Sequence, residues 1–185
     1  AKCINPNLHY VYILRKCQKH SKKSILGIFW RLVLRHHQIK YGFQIYPETQ
    51  IAPTENDLKF RKQLVRGYVH DQGAALMGGV AGHAGLFGNA NDVAIIMQML
   101  LNNGTYAGKR VLDSAVIKRY TSSHFSDNRR GLCFDKPEPD EKKESPVTKE
   151  CSLKSFGHSG FTGTFAWADP ENGLIFVFLS NRVYP

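Results

Sequence analysis

The stretch Phe156-Gly157-His158-Ser159-Gly160-Phe161-Thr162-Gly163-Thr164, followed by Phe165-Ala166-Trp167-Ala168 and then Leu174-Ile175-Phe176-Val177-Phe178-Leu179-Ser180, decides the fold. Both runs are rich in aromatic and β-branched residues. Asp169-Pro170-Glu171-Asn172-Gly173 between them has turn chemistry, so 165–180 reads as a β-hairpin. The small residues before the hairpin let a backbone approach a ligand closely, and His158 and Ser159 supply proton-transfer and hydrogen-bonding groups there. Gly, Ser and Thr are also ordinary turn residues, so a loop without chemistry has the same composition. A further reading takes Gly157-His158-Ser159 as the start of a G-x-S-x-G nucleophile elbow, with Ser159 the attacking group of an α/β-hydrolase. Against it, Phe161 stands where the last Gly belongs, and an elbow runs from strand into helix, whereas a hairpin comes next here.

Upstream lies the clearest helix signal. Asn89 as N-cap and Asp92 as third helical residue form a capping-box-like start, and Val93, Ile96, Met97, Leu100 and Leu101 share one face. Asn103-Gly104 ends it, which predicts a helix over 90–102. A second, shorter helix starts at Asp113 or Ser114 and runs to about Tyr120. Pro53-Thr54-Glu55-Asn56-Asp57 reads as a turn into an exposed stretch, and 73–88 is rich in Gly and Ala. Residues 137–150 are Pro, Asp, Glu, Lys and Ser with little else, which predicts a mobile loop separating two ordered blocks.

The chain has 185 residues and a formal charge of +10, and the location of that charge matters more than its size. Nine of the 25 Lys and Arg lie within 2–40, and the first acid is Glu48. The remainder balances sixteen bases (25 − 9) against fifteen acids. Residues 1–47 therefore stand apart as an atypical basic segment, and 48–185 form a nearly neutral body. That segment reads as a solvated tail with one docked helix at 25–34, or as a stretch that is not the natural partner of residues 48–185. No nucleic-acid partner is expected, because its basic and aromatic residues form no known module. The apolar run from Ile25 is cut by Arg31, too short for a membrane span, and has no small-residue cleavage site of a signal peptide after it. Cys3, Cys17, Cys133 and Cys151 show neither zinc spacing nor a disulfide framework. His70, Asp71, His83 and His158 have no metal spacing, and the glycines of 78–88 match neither a P-loop nor a dinucleotide fingerprint. Neither a metal nor a cofactor is expected.

Several of these stretches, in this order, resemble the beta-lactamase-related serine hydrolases, a family that includes penicillin-binding proteins and class C beta-lactamases. Gly82-His83-Ala84-Gly85-Leu86-Phe87-Gly88-Asn89-Ala90-Asn91-Asp92, with Met97-Gln98-Met99-Leu100-Leu101-Asn102-Asn103-Gly104 after it, is similar to the family's Gly-rich turn and following helix. Arg130-Gly131-Leu132-Cys133-Phe134 resembles its GLGF strand, with Cys133 where Gly is usual. Gly157-His158-Ser159-Gly160 resembles the His-Ser-Gly form of the third active-site motif, and 174–182 the strand after it. The stretch 51–71 looks like the variety fused to family 3 glycoside hydrolases. The resemblance covers roughly 51–185 and identifies the chain as the C-terminal part of such a domain: an α/β (α+β) sandwich, an antiparallel sheet with packed helices, incomplete here.

The resemblance implies acyl transfer on a peptidoglycan-like peptide, a lactam or an ester. His158 would take the place of the family's Lys, and Ser159 would hydrogen-bond the substrate. The Phe161 N–H would form half of an oxyanion hole, Gly160 would leave room for the approach, and Thr162 counts with them among the substrate-binding residues. No Ser-x-x-Lys occurs in the chain, and Tyr12-Ile13-Leu14 only hints at the second motif, since its polar third residue is missing. The nucleophile is therefore unassigned, and the chain alone is expected to be inactive or nearly so. A rival expectation is a non-catalytic binding module, fused to or associated with a glycoside hydrolase. The resemblance also implies a periplasmic or extracytoplasmic location.

Overall fold

The computed structural model of the chain describes residues 10–15, 51–79 and 81–185. In chain order the elements are β1 (Tyr10–Arg15), β2 (Pro53–Asp57), β3 (Gln63–Arg66), α1 (Gln72–Leu76), α2 (Ala90–Leu101), β4 (Thr105–Tyr106), β5 (Lys109–Arg110), α3 (Ser114–Thr121), β6 (Phe156–Ser159), β7 (Phe165–Asp169) and β8 (Leu174–Leu179). β1, β8, β7 and β6 lie side by side in that order as an antiparallel sheet, while β2–β3 and β4–β5 are separate two-stranded pairs. This is an antiparallel sheet with packed helices, as expected for an α+β domain.

The β7–β8 hairpin forms because its turn is chemically specified. The Asp169 carboxylate is 1% exposed and accepts from the N–H groups of Glu171, Asn172 and Ser152, from Asn172 Nδ2 and from Ser152 Oγ. Gly173 then takes φ 61°, which a residue with a Cβ adopts at a cost. Burial pushes the Asp169 carboxyl up, but these donors outweigh it and hold it below the usual range.

One face of the sheet carries α2. Ala90, Ala94 and Met97 pack with Phe156, Ala168, Ile175 and Val177, and Val93, Leu100 and Leu101 flank them. The buried stripe is rotated from the expected one: the alanines face the sheet, and Ile96 lies outside the cluster. Small residues on both partners, Ala90 and Ala94 against Ala168, let helix and sheet approach closely. Asn89 caps the helix as expected, accepting from the Asp92 N–H at 3.0 Å while its Nδ2 donates to Asp92 Oδ2. The helix ends at Leu101, one residue short of the expected end, and Asn103 and Gly104 follow with positive φ. α3 begins at Ser114 with Asp113 as its cap.

Other expectations change. Residues 53–57 are strand β2 and not a turn: the reversal lies at 58–62, where Asp57 accepts from the N–H groups of Lys59, Phe60 and Arg61. Residues 131–134 form no strand, and only the next residue, Asp135, bridges to Gly157. Residues 12–14 lie in β1, whose backbone pairs with 175–177 of β8. The helix expected at 25–34 lies outside the described residues. Residues 137–150 contain neither helix nor strand. Among the described residues no helix is long and apolar enough to cross a membrane.

Candidate functional site

β6 is where the sheet meets the conspicuous small-residue motif. Gly157 pairs outward with Asp135, donating to its carbonyl at 3.1 Å and accepting from its N–H at 2.8 Å. Asp135 is itself fixed by Arg129, which donates from Nε at 2.8 Å and from Nη2 at 3.0 Å. In an antiparallel ladder the outward-facing groups alternate, so the Ser159 backbone turns to the same outer side as Gly157. The bridge covers the edge at Gly157 and stops there. Beyond Gly157 no described strand pairs with this side of β6.

His158 and Ser159 are both exposed at the end of β6, and His158 Nδ1 lies 2.7 Å from its neighbour's carbonyl, Ser159 O. The chain then turns through Gly160, Phe161, Thr162 and Gly163 into β7. Gly160 donates to Thr164 O at 2.7 Å and Gly163 to Gly160 O at 2.9 Å. Gly163 has φ 106°, and its carbonyl accepts from Ser180 Oγ at 2.6 Å. The Phe161 N–H finds no acceptor among the described residues, and Phe161 as a whole is 69% exposed. Thr162 contributes its carbonyl, which accepts from the Arg182 N–H at 2.9 Å. All five sequence-predicted residues, His158, Ser159, Gly160, Phe161 and Thr162, thus lie contiguously on the end of β6 and the turn after it.

Two segments distant in sequence close on this turn. The His70 ring stacks on Phe161 with centroids 5.5 Å apart, and the Arg182 guanidinium lies 4.6 Å from the Phe161 centroid while its Nε donates to Phe161 O. Arg61 holds the His70 segment: Nη1 donates to Val69 O at 2.6 Å, Nη2 to His70 O at 3.0 Å and to Glu55, and Nε to Asp57 at 2.8 Å. The Arg61 guanidinium beside Asp57 holds that carboxyl far below its usual range. Asn181 ties the end of β8 to β2 through the carbonyls of Pro53 and Thr54, both at 2.8 Å.

Asp71 has a local task. It caps α1 by accepting from the Ala74 N–H at 2.7 Å, and its Oδ1 lies 2.9 Å from His83 Nε2. The Ala74 N–H and then His83 lower its carboxyl from the ordinary value. His70, Asp71, His83 and His158 do not converge: among the described residues no group of three or more His, Cys, Asp or Glu is placed to hold a metal. Sequence reasoning missed Arg182, Arg61 and α1. The cap Asp71 before Gln72 was the available signal for α1; Arg182, at the end of a strand, had none.

The Beta-lactamase family profile matches residues 7–185, nearly the whole chain. The chain belongs to the beta-lactamase family. Among curated relatives, an Escherichia coli K12 protein provisionally named D-alanyl-D-alanine carboxypeptidase is 37% identical over 167 residues, covering 84% of this chain and 38% of the relative. A similarly named protein of Salmonella agona is 35% identical over 166 residues, with the same shares covered. The chain thus spans 38% of the length of these relatives. Among solved structures, a penicillin-binding protein homologue from Caulobacter crescentus is 27% identical with a TM-score of 0.44, over 55% of this chain and 28% of that one. A beta-lactamase from Mycobacterium bovis is 24% identical with a TM-score of 0.43, over 58% and 40%. In this beta-lactamase family chain, the His158-Ser159-Gly160 stretch that carried the resemblance is the end of β6 and the start of its turn.

Proposed function

We propose that the chain is the third-motif portion of a serine acyl-transfer site that takes the C-terminal end of a peptidoglycan-like peptide, a lactam or an ester. The observation that carries this reading is the outer edge of β6, covered at Gly157 by Asp135 and leaving the Ser159 and Phe161 N–H groups without an acceptor among the described residues. An extended peptide adds to such an edge through main-chain hydrogen bonds. His158 stands at the strand end to orient the substrate, and Ser159 to hydrogen-bond its carbonyl or carboxylate. The Phe161 N–H points a free donor at developing negative charge, worth about 3–4 kcal/mol in a formed oxyanion hole. The names of the curated relatives favour a D-alanyl-D-alanine terminus, and with it an extracytoplasmic location.

The attacking Ser-x-x-Lys is absent from these 185 residues, so the chain alone binds but does not turn over. Intact mass after incubation with benzylpenicillin and with a fluorophosphonate tests this on the chain and on Ser159→Ala. No adduct on either is expected. A stoichiometric adduct lost in the variant would make Ser159 the nucleophile and overturn the assignment. A binding module associated with a glycoside hydrolase would also give no adduct, but it would bind oligosaccharide in preference to N-acetyl-D-alanyl-D-alanine.

A further inference from the structure

The turn 160–163 carries the proposed oxyanion donor, yet β6 and β7 alone do not fix it. Gly160 and Gly163 remove the side chains that would stiffen it, and Gly163 sits at φ 106°. Besides its internal bonds, Gly160 N–H to Thr164 O and Gly163 N–H to Gly160 O, the turn is held by residues outside it. Arg182 grips it three ways: its N–H donates to Thr162 O, its Nε donates to Phe161 O, and its guanidinium lies over the Phe161 ring. Ser180 Oγ holds the Gly163 carbonyl from the same strand end. The Phe161 ring also stacks with His70, whose backbone Arg61 anchors.

The Phe161 carbonyl and N–H flank one α-carbon, so a donor on the carbonyl and contacts on the ring together set where the N–H points. From this geometry we infer that Arg182 is a positioning residue for the Phe161 N–H, acting through the Phe161 carbonyl and ring, with His70 as the second jaw of the clamp. The inference rests on the acyl-transfer reading above. Lysine does not substitute: it lacks the planar fork that donates from Nε while stacking on an aromatic face.

The test uses the full chain, labelled for NMR, with Arg182→Lys and Phe161→Leu. Arg182 is exposed, so its replacement leaves the core intact. Arg182→Lys is expected to raise amide exchange at Gly160 and Gly163 about tenfold, the loss expected of a missing charge-assisted hydrogen bond, and Phe161→Leu, which keeps the carbonyl and loses only the ring contacts, by a few-fold. Exchange at core Val177 should stay within about twofold, which separates local loosening from global destabilisation. In wild type the Arg182 Nε–H resonance is expected to be shifted upfield by the Phe161 ring beneath the guanidinium, and Phe161→Leu should abolish that shift. Titration with N-acetyl-D-alanyl-D-alanine, read at the Phe161 amide, should weaken about tenfold in Arg182→Lys. Unchanged exchange at Gly160 and Gly163 in Arg182→Lys overturns the clamp, and so does unchanged peptide affinity when exchange has risen. Failure of wild type to bind the peptide sinks the acyl-transfer reading instead, while the exchange data still decide whether Arg182 holds the turn.

Discussion

Replacing Gly157 by Ala should be costly, although in an ordinary strand the change from Gly to Ala is favourable. A Cβ at Gly157 would stand 2.2 Å from Ala166 O, 2.3 Å from Trp167 Cε3 and 2.7 Å from Trp167 Cδ2. The carbonyl belongs to the strand paired with β6, and Trp167 is 3% exposed and stacked on Phe165 at 5.6 Å. Neither neighbour can retreat without disturbing the ladder or the ring stack. Overpacking costs about 1–3 kcal/mol, and with a backbone atom and a buried ring both obstructed the upper end applies. For 185 residues a loss of about 3 kcal/mol corresponds to a melting temperature lowered by roughly 6–12 °C. Gly160→Ala meets only the Thr164 hydroxyl at close range, 2.2 Å, with the next atom at 3.6 Å. Rotation of that side chain relieves it, for a cost of about 1 kcal/mol. Gly82→Ala has nothing within 4 Å and should lie within about 0.5 kcal/mol of wild type. Thermal and urea unfolding followed by circular dichroism would rank the three. A Gly157→Ala melting point within about 2 °C of that of Gly82→Ala would refute the claim that Trp167 and β7 close over the α-carbon of Gly157.

Asp169→Asn should destabilise by about 2–3 kcal/mol at neutral pH, because an amide turns donors toward donors that the carboxylate accepted. The carboxyl is held below its ordinary 3.8 in the folded chain, so its contribution is full above that value and is lost as pH falls through the lowered one; acid titration of stability should show this in wild type and not in the variant. Lys136, 5% exposed, donates from Nζ to the carbonyls of Thr121 and Ser155, and burial pushes it below its ordinary 10.5. The unfolded chain therefore holds the proton to higher pH than the folded one, so wild-type stability should rise relative to Lys136→Met as pH climbs from the lowered value to 10.5. At neutral pH Lys136→Met should cost about 1–3 kcal/mol, since those carbonyls lose their donor; equal urea midpoints would count against it. Ser155 is fully buried and its hydroxyl has no partner among the described residues, and Ser155→Ala should stabilise by about 1 kcal/mol in the same denaturant assay, a loss of stability overturning that reading.

How far the sequence could be read depended on the range of the contacts that decide each element. The β7–β8 hairpin and the caps of α2 and α3 were legible because donor and acceptor lie within a few residues. Asn89 and Asp92 satisfy one another, and Asp169 gathers the N–H groups of its own turn. β2 was misread for the same reason: the turn signal around Asp57 was real, but it belongs to the residues after it, and only pairing with β3 makes 53–57 a strand. β1, Tyr-Val-Tyr-Ile-Leu-Arg, has the composition of a strand, but its place in the sheet is not local, since its partner β8 comes from the other end of the chain. The site divides along the same line. His158, Ser159 and Gly160 could be named because they are contiguous, whereas the setting of their turn depends on Arg182 and His70, which reach Phe161 only once β8 and the 53–70 segment are in place. The motif residues therefore carry the chemistry, but their geometry is held by residues outside the motif. A substitution at Arg61, which anchors the His70 backbone, or at Asn181, which ties β8 to β2, should consequently disturb the site through the clamp.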